Sequence, residues 1–393
     1  MGAEKTLTLE GKKAFDEAEL LIGAKRMTDA VQRPGQMVLH EYRSDKIVEY
    51  IKAHPQYRTV AIALSGDVGF YSGARKLMDL LDGDVQVICG ISSVVYFMAK
   101  IGLSWDDARI VSAHGRDCNL ISLIRHNPKV FSILGTEDGV ARLASRLVEY
   151  GMGDVTLYVG ENLSYENEKI FHARAADLTE YRGDALSVVT ACNEKAEPLP
   201  AVHGICDEEF LRGKAPMTKE EVRTVSLSKI RLQEDSVCYD VGAGTGSVSV
   251  EMALRAWKGQ VYAIEKKEDA LALLKENKRK FAADNLEIVP GTAPEAMVEL
   301  PVPTHAFIGG SSGNMNEIIR LLLDKNPEVR IVINCITLET VTEAMNAIRD
   351  FSLTDVDIVQ LSAARSKSIG RYHMMMGENP IYIISCSGRG EEI

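Results

Sequence analysis

Short apolar runs of strand length recur along the chain, each followed by a stretch whose apolar positions repeat at the spacing of a helix face. In the first half these runs are TVAIAL (59–64), DVQVIC (84–89), KVFSIL (129–134) and DVTLYVG (154–160), each leading through a Gly- or Ser-rich turn into a helical pattern. The second half repeats the rhythm with SVCYDVG, GQVYAIE, LEIVPG, HAFIGG and VRIVINC. Near-continuous apolar strands between helices predict α/β layers on mainly parallel sheet. Two late runs, VDIVQL (356–361) and PIYIIS (380–385), enclose SAARSKSIGRYHMMMGEN and predict an antiparallel edge.

The rhythm is interrupted once, by the Pro- and charge-rich stretch NEKAEPLPAVHGICDEEF (193–210). It predicts two domains, 1–198 and 204–393, each of ordinary size. With 46% apolar residues, both halves can build full cores. A net charge of −11 excludes broad electrostatic binding to nucleic acid or an anionic membrane, though not a local basic pocket. No apolar run reaches the ~18–20 residues that span a bilayer, and the first residues are too charged for a secretory signal. Seven scattered cysteines without C-x-x-C spacing suit reduced thiols in the cytoplasm, and neither they nor the histidines predict a metal site.

The most informative stretch is YDVGAGTGSVSVEMA (239–253). Gly242, Gly244 and Gly246 follow a strand and open a helix, which puts backbone N–H groups and a helix N-terminus beside a cofactor. The next strand ends in Glu265, 19 residues beyond Gly246, where a carboxylate can accept both ribose hydroxyls of an adenosine. A pyrophosphate fingerprint wants glycine at 247, and Ser247 stands there, which weakens a dinucleotide reading. The G-x-G-x-G spacing, the acid Asp240 before it and Glu265 after it resemble the S-adenosylmethionine (SAM) loop of Rossmann-like methyltransferases.

Further motifs follow in order: GKAPMTKEEVR (213–223), PGTAPEAM (290–297), HAFIGGSSGNMNEII (305–319), INCITLETVTEAM (333–345) and RSKSIGRYHMMMGENPIYII. Together they resemble, over residues 204–393, the decarboxylating precorrin methyltransferases of cobalamin biosynthesis (CbiT-like). The resemblance implies that Thr218, Asp240, Gly242, Ala243, Gly244, Thr245, Gly246, Glu265, Thr292, Ala293 and Gly309 surround SAM. Thr218 has a second reading as a helix cap, with Glu221 completing a capping box.

In the first half SGDVGFYSGARKL, CGISSVVYFMAKIGL, SAHGR, ILGTEDGVARLASRL and VTLYVGENLSYENEKI resemble the tetrapyrrole methylases, and within them the C5-methylating, CbiE-like branch. That fold holds SAM between two α/β lobes. The resemblance places Ser65, Gly66, Asp67, Ser92, Ser93, Leu134 and Gly135 around it, while Ser92 and Ser93 also read as helix caps. Members of that family open with a strand and a G-x-G-P-G loop. Here the helix region LTLEGKKAFDEAELLIGAKR begins at residue 7, so that strand and one wall of the cleft are expected to be missing.

The two resemblances imply a fused, bifunctional enzyme (CobL-like) acting with SAM on a late corrin precursor, precorrin-6B or its cobalt form. The second half would methylate C15 and remove the ring C acetate carboxyl. The first half would methylate C5 or, alternatively, only dock substrate. Family members of the second type are homo-oligomers, tetramers in particular. Methyl transfer needs alignment more than acid–base chemistry, and no catalytic side chain stands out. A polycarboxylate substrate calls for cations. Arg365, Lys367, Arg371 and His373 form the densest basic cluster of the second half, and Arg212 and Lys214 precede the Pro216–Met217–Thr218 turn. These read either as substrate contacts or as solvated surface charges. The methionines of HMMMGE read as core, or as an apolar face for substrate beside Met217.

Overall fold

The computed structural model describes residues 2–113, 119–198, 204–213 and 215–389. Residues 114–116 of the SAHGR motif and Lys214 lie outside the described residues. The chain divides into two compact units, Met1–Arg116 with Asn127–Ala196, and Asp117–His126 with Glu197–Ile393.

The first stretch of sequence runs α1 (Leu9–Glu17), β1 (Leu20–Gly23), α2 (Lys25–Val31), β2 (Met37–His40), α3 (Ser44–Ala53), β3 (Val60–Ala63), α4 (Ala74–Met78), α5 (Ser93–Ile101), β4 (Arg109–Ser112), α6 (Leu120–His126), β5 (Lys129–Leu134), α7 (Gly139–Glu149), β6 (Thr156–Glu161), β7 (Lys169–Arg174) and β8 (Ser187–Cys192). Of these, α6 groups with the second unit. Just before it, Asn119 N–H donates to the Trp257 carbonyl (3.0 Å), and Asn119 Oδ1 accepts from Asp284 N–H (3.1 Å).

Strands β2-β1-β3 form a parallel sheet. Residues 20–23, expected as part of a helix, are its central strand. Leu20 and Ile22 pack on one core cluster and Leu21 on another, the two-face alternation that only a strand provides. Residues 84–89, expected as a strand, make no ladder pair, and Val85 and Val87 are exposed. An apolar run becomes a strand only where a neighbour supplies its hydrogen bonds. The second sheet of this unit has the order β4-β5-β8-β6-β7, and only β4 and β5 are parallel. Strand β6 turns directly into β7 rather than into the expected helix.

The second unit continues with α8 (Glu220–Ile230), β9 (Val237–Val241), α9 (Ser247–Arg255), β10 (Gln260–Glu265), α10 (Glu268–Lys280), β11 (Leu286–Pro290), β12 (His305–Ile308), α11 (Met315–Lys325), β13 (Arg330–Cys335), α12 (Leu338–Asp350), β14 (Thr354–Leu361), β15 (Ala364–Ile369), β16 (Tyr372–Gly377) and β17 (Ile381–Ser387). Its sheet has the order β11-β10-β9-β12-β13-β17-β14. The first five strands are parallel, and β17 runs antiparallel between β13 and β14. Alternate residues of the inner strands serve two cores. Tyr239 and Val241 face one, and Cys238 faces the other. Strands β15 and β16 form a separate hairpin between the last two strands of the sheet.

Because β9 is flanked by β10 and β12, its crossovers leave in opposite directions, and a crevice opens at the carboxyl ends of these strands. A cavity of about 680 Å³ lies there.

Candidate functional site

The glycine loop owes its shape to backbone that only glycine adopts freely. Gly242, Gly244 and Gly246 all have positive φ, at 77°, 57° and 80°. A Cβ on Gly242 would sit 2.9 Å from the Gly310 carbonyl oxygen, and one on Gly244 would sit 2.9 Å from that of Pro216. The loop is thus closed from two sides by backbone, and α9 starts at Ser247 directly behind it.

Glu265 ends β10 and is 8% exposed. Its Oε2 accepts the Gly244 N–H (2.8 Å), and its Oε1 accepts from Lys266 and Lys267 N–H (2.9 Å each). Three backbone donors fix this carboxylate at the cavity, and Oε2, which accepts only one of them, keeps a lone pair for a ligand hydroxyl. Asp240 lies deeper. Its Oδ2 accepts from the Ser249 hydroxyl, and its Oδ1 has no partner. Burial pushes the Asp240 carboxyl up to about 7, against the lowering effect of Ser249.

Of the residues expected around the cofactor, Thr218, Gly242, Ala243, Gly244, Glu265, Thr292, Ala293 and Gly309 line the cavity. Asp240, Thr245 and Gly246 do not. They form the layer beneath, where Thr245 is buried and a Cβ on Gly246 would strike Leu274. Met217 also lines the cavity, whereas Arg212 points away and lies 3.8 Å from Glu208. Sequence reasoning missed Lys219, Lys266, Lys267, Asn334, Glu378 and Asn379, all of which line the same space. Lys266, Lys267, Glu378 and Asn379 directly follow strands β10 and β16, a position that could have found them, whereas Lys219 precedes α8 and Asn334 lies within β13.

Thr218 does not cap α8. Lys219 is the N-cap residue and makes no side-chain cap bond, while Glu221 forks to Arg365 (3.0 and 2.8 Å). That ion pair holds the Glu221 carboxyl below its usual range. Arg365 also lies 3.5 Å from Asp207 and 3.7 Å from Glu220, so it belongs to an acidic cluster of its own unit. Lys367, Arg371 and His373 are exposed on the hairpin, and none of the four lines the cavity. The hairpin methionines are not core. Met374, Met375 and Met376 are 52%, 63% and 48% exposed.

In the first unit, Ser65, Gly66, Asp67, Ser93 and Leu134 line a cavity of about 310 Å³. Asp67 shapes the turn, with Oδ1 accepting from Gly69 N–H (2.9 Å) and Oδ2 from Gly90 N–H (3.2 Å). Ser92 caps α5, its hydroxyl accepting from Val95 N–H (3.3 Å). Ser92 and Gly135 are not among the lining residues. A larger cavity of about 690 Å³ lies between β3, residues 84–91 and α1.

A parallel sheet with an antiparallel β17 inserted, carrying a glycine loop and an acid at the end of the second strand, defines a Rossmann-like, SAM-dependent methyltransferase unit. Residues 209–387 match the precorrin methyltransferase domain, and residues 1–179 match the tetrapyrrole (corrin/porphyrin) methylases. A probable cobalt-precorrin-6B C(15)-methyltransferase (decarboxylating) of Pyrobaculum calidifontis is 44% identical over 188 residues, which are 47% of this chain and 96% of that protein. The cobalt-precorrin-6B C(15)-methyltransferase (decarboxylating) of Salmonella typhimurium is 40% identical over 182 residues, 46% of this chain and 94% of that one. A crystal structure of precorrin-6y C5,15-methyltransferase from Geobacter metallireducens has 40% identity and a TM-score of 0.45, covering 47% of this chain and 96% of its own. The chain belongs to the precorrin methyltransferases, and its first half carries a tetrapyrrole-methylase domain. It is an enzyme whose methyl donor is SAM.

The residues of the second unit fit that donor. The cradle formed by Gly242 and Gly244 has no room for a Cβ, Glu265 presents a fixed carboxylate, and the buried Thr245 hydroxyl behind the loop is unpartnered.

Proposed function

We propose that the second unit methylates C15 of a late corrin precursor, precorrin-6B or its cobalt form, and removes the ring C acetate carboxyl as carbon dioxide. The first unit methylates C5. The observation that carries this reading is the cavity of about 680 Å³, lined by the glycine loop and Glu265 and also by Asn334, Glu378 and Asn379. The loop and Glu265 suit an adenosine, and the volume leaves space beside it for the carbon to be methylated.

SAM supplies an activated methyl group. The chain's own part is to hold the two reactants in line and to exclude water, which is worth roughly 7–11 kcal/mol of barrier. Glu265 orients the ribose, Gly242 and Gly244 let the donor approach the backbone, and Met217 and Thr218 cover it. At C15 a carbon–carbon bond would form with an electron pair of the macrocycle as the methyl–sulfur bond of the donor breaks, that bond's pair staying on sulfur. In the acetate the bond to the carboxyl carbon would break, carbon dioxide would leave, the bond's electron pair would pass into the conjugated macrocycle, and a proton taken up from solvent would complete the methyl left on ring C. Lys219, Lys266 and Lys267 at the cavity offer cations for the substrate carboxylates, in place of the hairpin cluster.

A second reading makes the first unit a docking module. The cavity at Ser65–Asp67 is about 310 Å³ against about 680 Å³ in the second unit, which supports it, while the neighbouring cavity of about 690 Å³ that Gly66 also lines supports the first reading. Calorimetric titration with SAM separates the two. Two sites per chain support a bifunctional enzyme, one supports docking, and none overturns both.

The chain is proposed to act in the cytoplasm, and no helix among the described residues is long and apolar enough to cross a membrane. We further propose a homo-oligomer, a tetramer, built through the second unit. Ile369, Tyr372, Met374, Met375 and Met376 expose an apolar hairpin, and Val356 and Ile358 expose more apolar surface on the edge strand β14.

A further inference from the structure

We infer that Arg223 is a positioning residue for binding of the methyl donor, setting the gap between the glycine loop and the segment 215–219 that covers it. The inference rests on reading the cavity as the SAM site.

Arg223 stands in the first turn of α8 and is fully buried. Its Nε donates to Glu251 Oε1 (2.6 Å), and its Nη1 donates to the Thr218 carbonyl (2.6 Å) and to Asp207 Oδ1 (3.3 Å). Nη2 donates to the Ile205 carbonyl, and the Phe210 ring lies 4.8 Å from the guanidinium carbon. Glu251 sits one turn into α9, the helix that begins at the glycine loop. It also accepts from Ile205 N–H (3.0 Å). One guanidinium therefore ties the cover of the cavity to the helix that carries its floor.

Burying a cation with two acids is a costly way to gain stability, since apolar side chains of similar volume usually serve as well. What the planar fork supplies is aim, because it fixes several acceptors in one plane. The Thr218 carbonyl is held directly. Two residues earlier, the Pro216 carbonyl lies so near the loop that a Cβ on Gly244 would be 2.9 Å from it. Met217 and Thr218, between these two fixed points and the cavity, take their position from Arg223. Asp207 Oδ2 makes no hydrogen bond and faces Arg365 at 3.5 Å, which links hairpin β15–β16 to the same acid.

The test is Arg223→Lys in the full chain, with SAM affinity by calorimetry and steady-state kinetics at temperatures where the variant remains folded. Lysine keeps the charge but cannot reach Glu251, Thr218 and Ile205 together. We expect Kd and KM for SAM to rise about tenfold, the equivalent of one lost hydrogen bond to a charged group, with kcat within about twofold. Should Arg223→Lys fail to fold, Glu251→Gln keeps the shape, loosens the same guanidinium and should raise the SAM Kd about threefold, a fraction of one such bond. Folded variants with wild-type SAM affinity and only a lowered Tm overturn the inference and leave Arg223 a structural residue. A wild-type chain that binds no SAM overturns the reading of the cavity as well.

Discussion

Glu265 Oε2 accepts the N–H of Gly244 at 2.8 Å, joining the end of the second strand to the middle of the glycine loop. The bond fixes both the carboxylate proposed to meet the ribose and the loop proposed to cradle the rest of the donor. Glu265→Gln keeps the shape but replaces an ionised acceptor with a neutral amide. A hydrogen bond to a charged group is worth about 1.5–3 kcal/mol, so SAM affinity should fall by roughly ten- to a hundredfold. Calorimetry on the folded variant checks this, and an unchanged Kd would remove Glu265 from the site.

Gly244→Ala tests the cradle from the other side. The residue has φ 57°, where an L side chain costs about 1–2 kcal/mol. The added Cβ also meets the Pro216 carbonyl at 2.9 Å. A modest drop in Tm should accompany a loss of SAM binding of at least about tenfold, one hydrogen bond's worth of lost fit. A variant that loses stability but binds SAM normally would mean that the donor does not lie against this loop.

Much of this was legible in the sequence for a physical reason. A loop that must approach its ligand and its neighbours through backbone has to be glycine, and an acid one strand later has few other uses. The parallel strands β9 to β13 were equally legible, because buried strands between helices read as continuous apolar runs. Residues 84–89 show the limit, since the same composition without a partner strand makes no ladder. The role of Arg365 was hidden because Glu221 and Asp207, its partners, lie more than a hundred residues away in sequence. The hairpin methionines read as core because their exposure is decided by tertiary placement and not by their own composition.

Asp240 makes the second unit sensitive to pH. Its carboxyl is pushed from 3.8 to about 7 by burial. Between these values the unfolded chain gives up a proton that the folded chain keeps. Folding stability therefore falls as pH rises through this window, by up to about 1.4 kcal/mol per unit, and Asp240 adds no further loss above about 7. Asp240→Asn, neutral at every pH, should remove this slope. Urea unfolding of both proteins from about pH 5 to about pH 8 checks it, and parallel pH profiles would contradict it.

The C5 activity proposed for the first unit is tested on its own by Gly90→Ala. A Cβ on Gly90 would lie 2.3 Å from the Gly66 carbonyl oxygen, at the turn that Asp67 holds together. Gly90→Ala should distort the Ser65–Asp67 cavity and abolish C5 methylation while leaving C15 methylation and decarboxylation intact. Loss of all three activities in a folded variant would show that the two sites are not independent.

Assembly through the hairpin is tested by Met375→Glu. Met375 is 63% exposed and does not line the cavity at the glycine loop. A charge there should lower the molar mass seen by light scattering and leave the SAM Kd unchanged. An unchanged mass would contradict the proposed assembly through the hairpin.

The most direct measurement is mass spectrometry of the products formed from SAM and precorrin-6B, or its cobalt form, with the full chain. Two added methyl groups and one lost carbon dioxide are expected. A substrate recovered without a new methyl at C15 and with its acetate intact, from protein that binds SAM, would contradict the assignment of this chemistry to the second unit.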